Sequence, residues 1–392
     1  MLCKNIFRGG LVLLISAALA TGCGDPWYEE PAEYAFSEEI TLDNVARLLS
    51  SLPLGTAQVA EVYDAVSASR ENGYDEEYLM RDLFDSPGRG VGEAASATKS
   101  SSYSRPIRNM IADLVSERYR TKAGGDRGAV QAFLDSLAAS SVQIYWPFSE
   151  DWDGETLPLI TFDPGDGSQV NVGYKIVVSD TTRLLETLLV DEETARRRPV
   201  WVVNANDDAL YKTVEVLRRE NPNWGTGGGT LTKSSESRTL YLRSFQAKRN
   251  YDPWFSGASE FFVKCGAVED FTAADKKDLS LYNPSITDFM VVVRRKDMLK
   301  VNTFNVVLVS DWTDQLENCA FLITEDDGGT QTSWKCSATV KVKNQSYGFE
   351  MQIPLNTKDD IVWRGKLSRS FIERYNGEVG HFGDVDVVLE LE

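Results

Sequence analysis

The chain has 392 residues, with 41 basic against 59 acidic side chains, a net charge of −18 and a single histidine; its pI is about 4.7. That balance argues against a nucleic-acid partner, which needs clustered Lys and Arg to neutralise phosphates, and against a polybasic membrane patch. With 42% hydrophobic and 10% aromatic residues the chain can build real cores, so global disorder is excluded.

Lys4 and Arg8 make a basic start, residues 11–19 a short apolar run, and Ala20-Thr21-Gly22 a small-residue cut site. This is the layout of a secretory signal peptide over residues 1–22. The run is shorter than the roughly 20 apolar residues of a membrane-spanning helix. The ending Ala20-Thr21-Gly22-Cys23 resembles the lipobox of bacterial lipoproteins, with Ala20 where leucine is commonest. The resemblance implies cleavage before Cys23 and lipidation of that residue, palmitate included, so that membrane association comes from the lipid.

Residues 23–36, with Pro26, Pro31 and several glutamates, read as a tether. A helical domain is expected over 37–140. Leu42, Val45, Ala46 and Leu49 repeat at helical spacing behind Thr41 as N-cap. Ile107, Met110, Ile111 and Leu114 repeat it, as do Val130, Phe133, Leu134 and Leu137. A further helix is expected near 57–69, and a small-residue loop around Ser86-Pro87-Gly88 and 94–104.

From 141 to 223 the pattern turns mostly β. Val142 to Trp146, Leu159 to Phe162 and Tyr174 to Val178 read as strands; Asp191 caps a short helix that Pro199 ends, before the buried strand Val200 to Val203. Residues 224–237 are a Gly/Ser-rich joint. Short strands with turn signals then run from 238 to 392, the spacing of an antiparallel β-sandwich. The last is the clearest, with Val385, Val387, Leu389 and Leu391 on one face.

Three cysteines, Cys265, Cys319 and Cys336, lie beyond Cys23. A type I′ loop centred on Asp327-Gly328 sets Cys319 opposite Cys336, which predicts a disulfide between them. Cys265 is left over as a small buried hydrophobe.

Chemistry-bearing motifs are few. His381, alone, rules out H-E-x-x-H and multi-histidine metal faces, and no G-x-S-x-G elbow offers a nucleophile. No motif calls for an organic cofactor. The alternating carboxylates Asp151 and Asp153 before Gly154, with Asp163 and Asp166 close by in sequence, form a candidate calcium site. Their spacing is not that of an EF-hand, since Ser149 and Ile160 fall at its end positions. Trp146, Trp152, Trp224, Trp254, Trp312 and Trp363 stand in or beside polar stretches, where they suit sugar rings, protein partners or the core.

The stretch from Ile144 to Gly154, the stretch from Trp254 to Glu260, and the ending Gly383-Asp384-Val385-Asp386 resemble uncharacterised surface lipoproteins of anaerobic Gram-negative bacteria, a group that brings no assigned activity. The residues together predict an α+β multidomain protein, with an N-terminal helical segment and mostly β regions ending in a sandwich. Its expected work is non-catalytic: a binding or assembly module for a glycan or an envelope protein, lipid-anchored in the cell envelope at the outer membrane. The alternatives are a carboxylate-based, glycosidase-like hydrolase and a purely structural envelope lipoprotein.

Overall fold

The computed structural model describes residues 39–84, 103, 105–123, 127–178, 183–206, 211–225 and 237–392. The expected signal peptide, Cys23, the expected tether, residues 86–102 and 104 of the expected loop and 226–236 of the expected joint lie outside the described residues. The architecture is α+β: helices first, then strands in several largely antiparallel sheets.

The first half comprises α1 (Leu42–Ser50), α2 (Thr56–Glu71), β1 (Glu77–Leu79), α3 (Met80–Phe84), α4 (Ile107–Ala123), α5 (Arg127–Ala138), β2 (Val142–Tyr145), β3 (Leu159–Phe162), β4 (Val170–Val178), β5 (Arg183–Asp191), α6 (Glu192–Arg197), β6 (Val200–Ala205) and α7 (Val214–Glu220). Polar side chains start the helices by satisfying otherwise orphaned N–H groups. Thr41 Oγ1 accepts from Asn44 N at 3.2 Å, Asp191 Oδ1 from Thr194 N at 2.8 Å, and Glu61 Oε2 from Ile107 N at 2.9 Å.

The strands order β1-β2-β6-β3-β4-β5, with β3 and β6 parallel and the other pairs antiparallel. Period-two alternation sends Ile144, Trp146, Ile160, Trp201 and Val203 into one core with Val45, Leu49, Val59, Val62 and Ile111 of the helices. Tyr145, Leu159, Val200 and Val202 point the other way, into a core that holds Trp254 and Phe255. Both sheet faces are therefore covered, which is why 200–203 reads as an unbroken apolar run.

The second half comprises β7 (Arg238–Ala247), β8 (Ser259–Ala267), β9 (Ser285–Val293), β10 (Asn302–Trp312), β11 (Leu316–Glu325), β12 (Gln331–Val342), β13 (Gln345–Asn356), β14 (Asp360–Ser368), α8 (Arg369–Arg374), β15 (Val379–Phe382) and β16 (Val385–Leu391). One sheet runs β10-β7-β16-β15; the other runs β13-β12-β11-β8-β9, with β14 also on β11. They share a core in which Phe245 of β7 meets Phe261 of β8 with ring centroids 5.2 Å apart, and Phe321 of β11 meets Phe382 of β15 at 5.6 Å. This is the sandwich, and Val385, Val387, Leu389 and Leu391 face its core as their alternation predicts.

The expected disulfide does not form. All three cysteines beyond Cys23 are free thiols. β12 pairs with β11 only at Leu316↔Val340 and Asn318↔Thr339. From Asn318 to Glu325, β11 instead pairs with β14, and from Ala320 to Glu325 with β8 on its other edge. Cys319 stands across from Leu367, and Cys336 across from Met351. With both edges of β11 taken beyond Asn318, β12 stays paired to β11 only near the start of that strand and diverges from it thereafter. Its hairpin with β13 lies over β8, where a Cβ on Gly266 would sit 2.1 Å from Met351 Sδ and Lys264 Nζ reaches Pro354 O at 2.8 Å. His381 lies in β15 and meets Asp386 Oδ1 at 2.6 Å.

Candidate functional site

The four aspartates expected to hold calcium are each used in other bonds. Asp153 Oδ1 accepts from Glu155 N at 2.9 Å and Thr156 N at 2.7 Å, and Asp166 from Ser168 N at 2.9 Å. Asp163 accepts from Gly165 N and from Ser256 Oγ, both at 2.8 Å. Asp151 pairs with Lys296 at 2.8 Å. Asp153, Asp163 and Asp166 thus brace their own turns, the usual role of a short acidic side chain in a loop. Among the described residues they do not converge into a group close enough to share an ion.

The group that does converge is Asp252, Glu260 and Glu325, whose ligand oxygens lie within 4.8 Å of one another. Glu325 ends β11, Glu260 lies near the start of β8, and Asp252 sits in the loop between β7 and β8. Backbone pairing of Glu325 with Phe261 on one side and Asp360 on the other fixes its place. Glu325 is 0% exposed and Glu260 8%. Neither oxygen of Glu325 receives a hydrogen bond, nor does Asp252 Oδ2. Burial first, then the Asp252 carboxylate, and then Asp327 and Asp360 push Glu325 far above the usual carboxylate range. Burial also raises Asp252, against a lowering pull from Arg295.

A second carboxylate pair lies between α2 and β9. Glu76 is buried and accepts from Ser149 N at 3.2 Å and Ser149 Oγ at 2.9 Å, with Arg294 at 3.8 Å and Arg70 at 4.0 Å. Burial, then Glu150 and Asp75, raise Glu76. Glu150 is lowered: burial pulls it up, but Glu76, Arg294 and Lys296 outweigh that pull. This knot ties α2 and the 149–151 turn to the end of β9.

A concavity lies between the β12–β13 hairpin and β14. It is a groove of about 690 Å³, lined by Trp334, Lys335, Cys336, Ser337, Glu350, Met351, Gln352 and Lys366. It opens where β12 diverges from β11, and Lys366 Nζ bridges it by donating to Ser337 Oγ at 2.9 Å. A smaller cavity of about 130 Å³ is lined by Leu54, Leu157, Pro158, Thr156, Lys175 and Arg198. Neither is lined by a pair of carboxylates.

Comparison with protein-family models, with curated proteins and with solved structures finds no match to this chain. Of the tryptophans singled out in the sequence, Trp146, Trp254 and Trp312 are fully buried core residues, while Trp152, Trp224 and Trp363 are partly buried packing residues. Trp334, not among the tryptophans singled out in the sequence, is likewise partly buried against the sandwich core and also lines the groove. Glu325 ends a strand that is buried at every position from Cys319 onward, so no period-two pattern marked it in the sequence. Among the described residues no helix is long and apolar enough to cross a membrane.

Proposed function

We propose that the protein is a non-catalytic binding module, held in the cell envelope by lipid on Cys23, whose ligand is a glycan chain taken up in the groove between the β12–β13 hairpin and β14. The observation that carries this reading is the groove's lining: the Trp334 indole beside the polar side chains of Ser337, Lys335, Glu350, Gln352 and Lys366. A sugar ring offers an apolar face to an indole and hydroxyls to amide, hydroxyl and charged groups. The groove's volume falls in the range of small-ligand sites, roughly 300–1,000 Å³.

The lining argues for binding over hydrolysis. Glycoside hydrolysis needs two carboxyl groups flanking the scissile bond, and Glu350 is the groove's single carboxylate. The pairs with shifted proton affinity, Glu76 with Glu150 and Asp252 with Glu325, line neither described cavity. Lipid anchoring rests on the residues Ala20 to Cys23, and metabolic labelling with palmitate, lost in Cys23→Ala, tests it.

The binding test is calorimetry of the full chain against envelope polysaccharides and peptidoglycan fragments, repeated with Trp334→Ala. An aromatic anchor at the centre of a site carries enough energy that its loss should weaken binding by about tenfold or more, with no reducing ends released from any glycan. If no glycan binds, and an envelope protein is instead recovered by wild type and lost by the variant, the ligand is a protein. If neither is bound, the groove is not the working surface.

A further inference from the structure

We propose that Asp252, Glu260 and Glu325 hold a calcium ion that locks the loop between β7 and β8 onto the sandwich. The proposal is independent of the groove and of any glycan.

Three facts about the site argue for it. The first is geometry: the three carboxylate oxygens lie within 4.8 Å of one another. Oxygens bound to one calcium at roughly 2.3–2.6 Å can stand no farther apart than about twice that length. The second is the donor set, which is all carboxylate oxygen and so suits a hard cation. Magnesium, by contrast, prefers to keep its waters and take one or two carboxylates.

The third is the state of Glu325. It is fully buried, and its two oxygens, aimed into the cluster, receive no hydrogen bond. A buried carboxylate without a partner is among the costliest groups a fold can carry. Two of the protein's own cations, Arg295 and Lys264, are bonded to other groups. Arg295 donates through Nε to Gly257 O at 3.1 Å and through Nη2 to Asp252 O, and pairs with Glu192 at 3.5 Å. Lys264 Nζ bonds Pro354 O at 2.8 Å and Asp288 at 3.2 Å. Asp327 and Asp360 add further negative charge around Glu325. A dication supplies what the side chains lack. The competing arrangement is a proton shared between Glu325 and Asp252, which satisfies one oxygen pair and leaves the surrounding field uncompensated.

The position gives the ion a mechanical consequence. Asp252 lies just before Trp254 and Phe255, the plug that fills the core under the first sheet. Trp254 Nε1 donates to Gln169 O at 2.9 Å, and Asn204 Nδ2 holds Phe255 O and Ser256 O at 3.1 and 2.6 Å. An ion clamping Asp252 to Glu260 and Glu325 fixes the plug's starting point against β8 and β11. Calcium occupancy should therefore be felt by the first half of the chain as well as by the sandwich.

The test uses the full chain, stripped with EDTA and dialysed. Calcium chloride is titrated in by calorimetry, and thermal unfolding is followed with and without calcium, against sodium chloride of equal ionic strength. One calcium should bind per chain and raise Tm beyond the sodium control. Glu325→Gln should weaken calcium binding by about tenfold or more, and Asp252→Asn, the second variant should the first fail to fold, should do the same. Glu350→Gln, in the groove, should bind calcium as wild type does. The proposal is overturned if stripped wild type binds no calcium at millimolar concentration, if sodium chloride gives the same shift in Tm, or if both cluster variants keep wild-type affinity.

Discussion

Ala258 N–H donates to Asp75 Oδ2 at 2.9 Å, joining the turn ahead of β1 to the segment that enters β8. The neighbouring Gly257 has φ +140°, and a Cβ there would meet the same oxygen at 3.2 Å. Asp75 is 4% exposed. Asp75→Ala would leave a buried N–H without its acceptor, a loss of about 1–3 kcal/mol. Asp75→Asn keeps an acceptor oxygen and should lose less. Urea unfolding of the two variants measures both. Equal, negligible losses would mean the bond contributes nothing to joining the halves.

The acceptor that starts α4 should make stability depend on pH. Burial raises Glu61 from 4.5 to about 7, against the Ile107 N–H and Arg108, which both favour the charged form. A folded-state value above the unfolded one means the folded chain keeps a proton that the unfolded chain releases. Glu61's contribution to stability is thus fully present below about 4.5 and is lost as pH rises to about 7. Glu61→Gln preserves an acceptor for Ile107 and removes the titration. The variant's urea midpoint should decline less than that of wild type across this window, and should exceed it at pH 8. Parallel curves would mean that Glu61 is ionised throughout.

What the sequence made legible was whatever depends on local periodicity. The helical spacing of Val45, Ala46 and Leu49 and the alternation of Val385, Val387, Leu389 and Leu391 both report a buried face, and both faces are buried as read. β1 was not legible: Glu77–Leu79 has no pattern of its own and is a strand because β2 pairs with it. The register of β11 was misread for a related reason. The type I′ loop expected at Asp327-Gly328 does not form, since Gly328 and Gly329 adopt positive φ, +68° and +102°, and Asp327 does not; turn chemistry, moreover, fixes register only where the two strands stay paired. Here β8 and β14 take both edges of β11. The acidic turns misled in the opposite sense, because Asx capping and ion binding draw on the same residues. Asp252, Glu260 and Glu325 share no sequence window, so their convergence is a product of the fold.

Thiol chemistry tests the corrected register. Cys265 lies diagonally from Cys319 across the β8–β11 pair; the Cys319 thiol and burial together push Cys265 well up, so it stays protonated and inert. Cys336 is less buried, in the groove wall. Peptide mapping after brief alkylation of the native protein should find Cys336 modified, with Cys265 and Cys319 labelled only after denaturation. A crosslinked peptide joining Cys319 to Cys336 would restore the simple hairpin and displace β14 from β11.

Gly266 gives the sharpest test of how the β12–β13 hairpin is seated. A Cβ at this position would lie 2.1 Å from Met351 Sδ and 3.4 Å from Ile353 Cδ1, so Gly266→Ala must push the hairpin away or force Met351 into another rotamer. Overpacking of this kind costs about 1–3 kcal/mol. Met351→Ala alone should also destabilise, by loss of a side chain that is 8% exposed. Combined, the two should cost less than their sum, because the shortened side chain makes room for the new methyl group. A double-mutant cycle by urea unfolding reads the coupling directly. Strict additivity would mean that Met351 does not press on β8, and that neither the hairpin's position nor the groove beneath Trp334 is set by that contact.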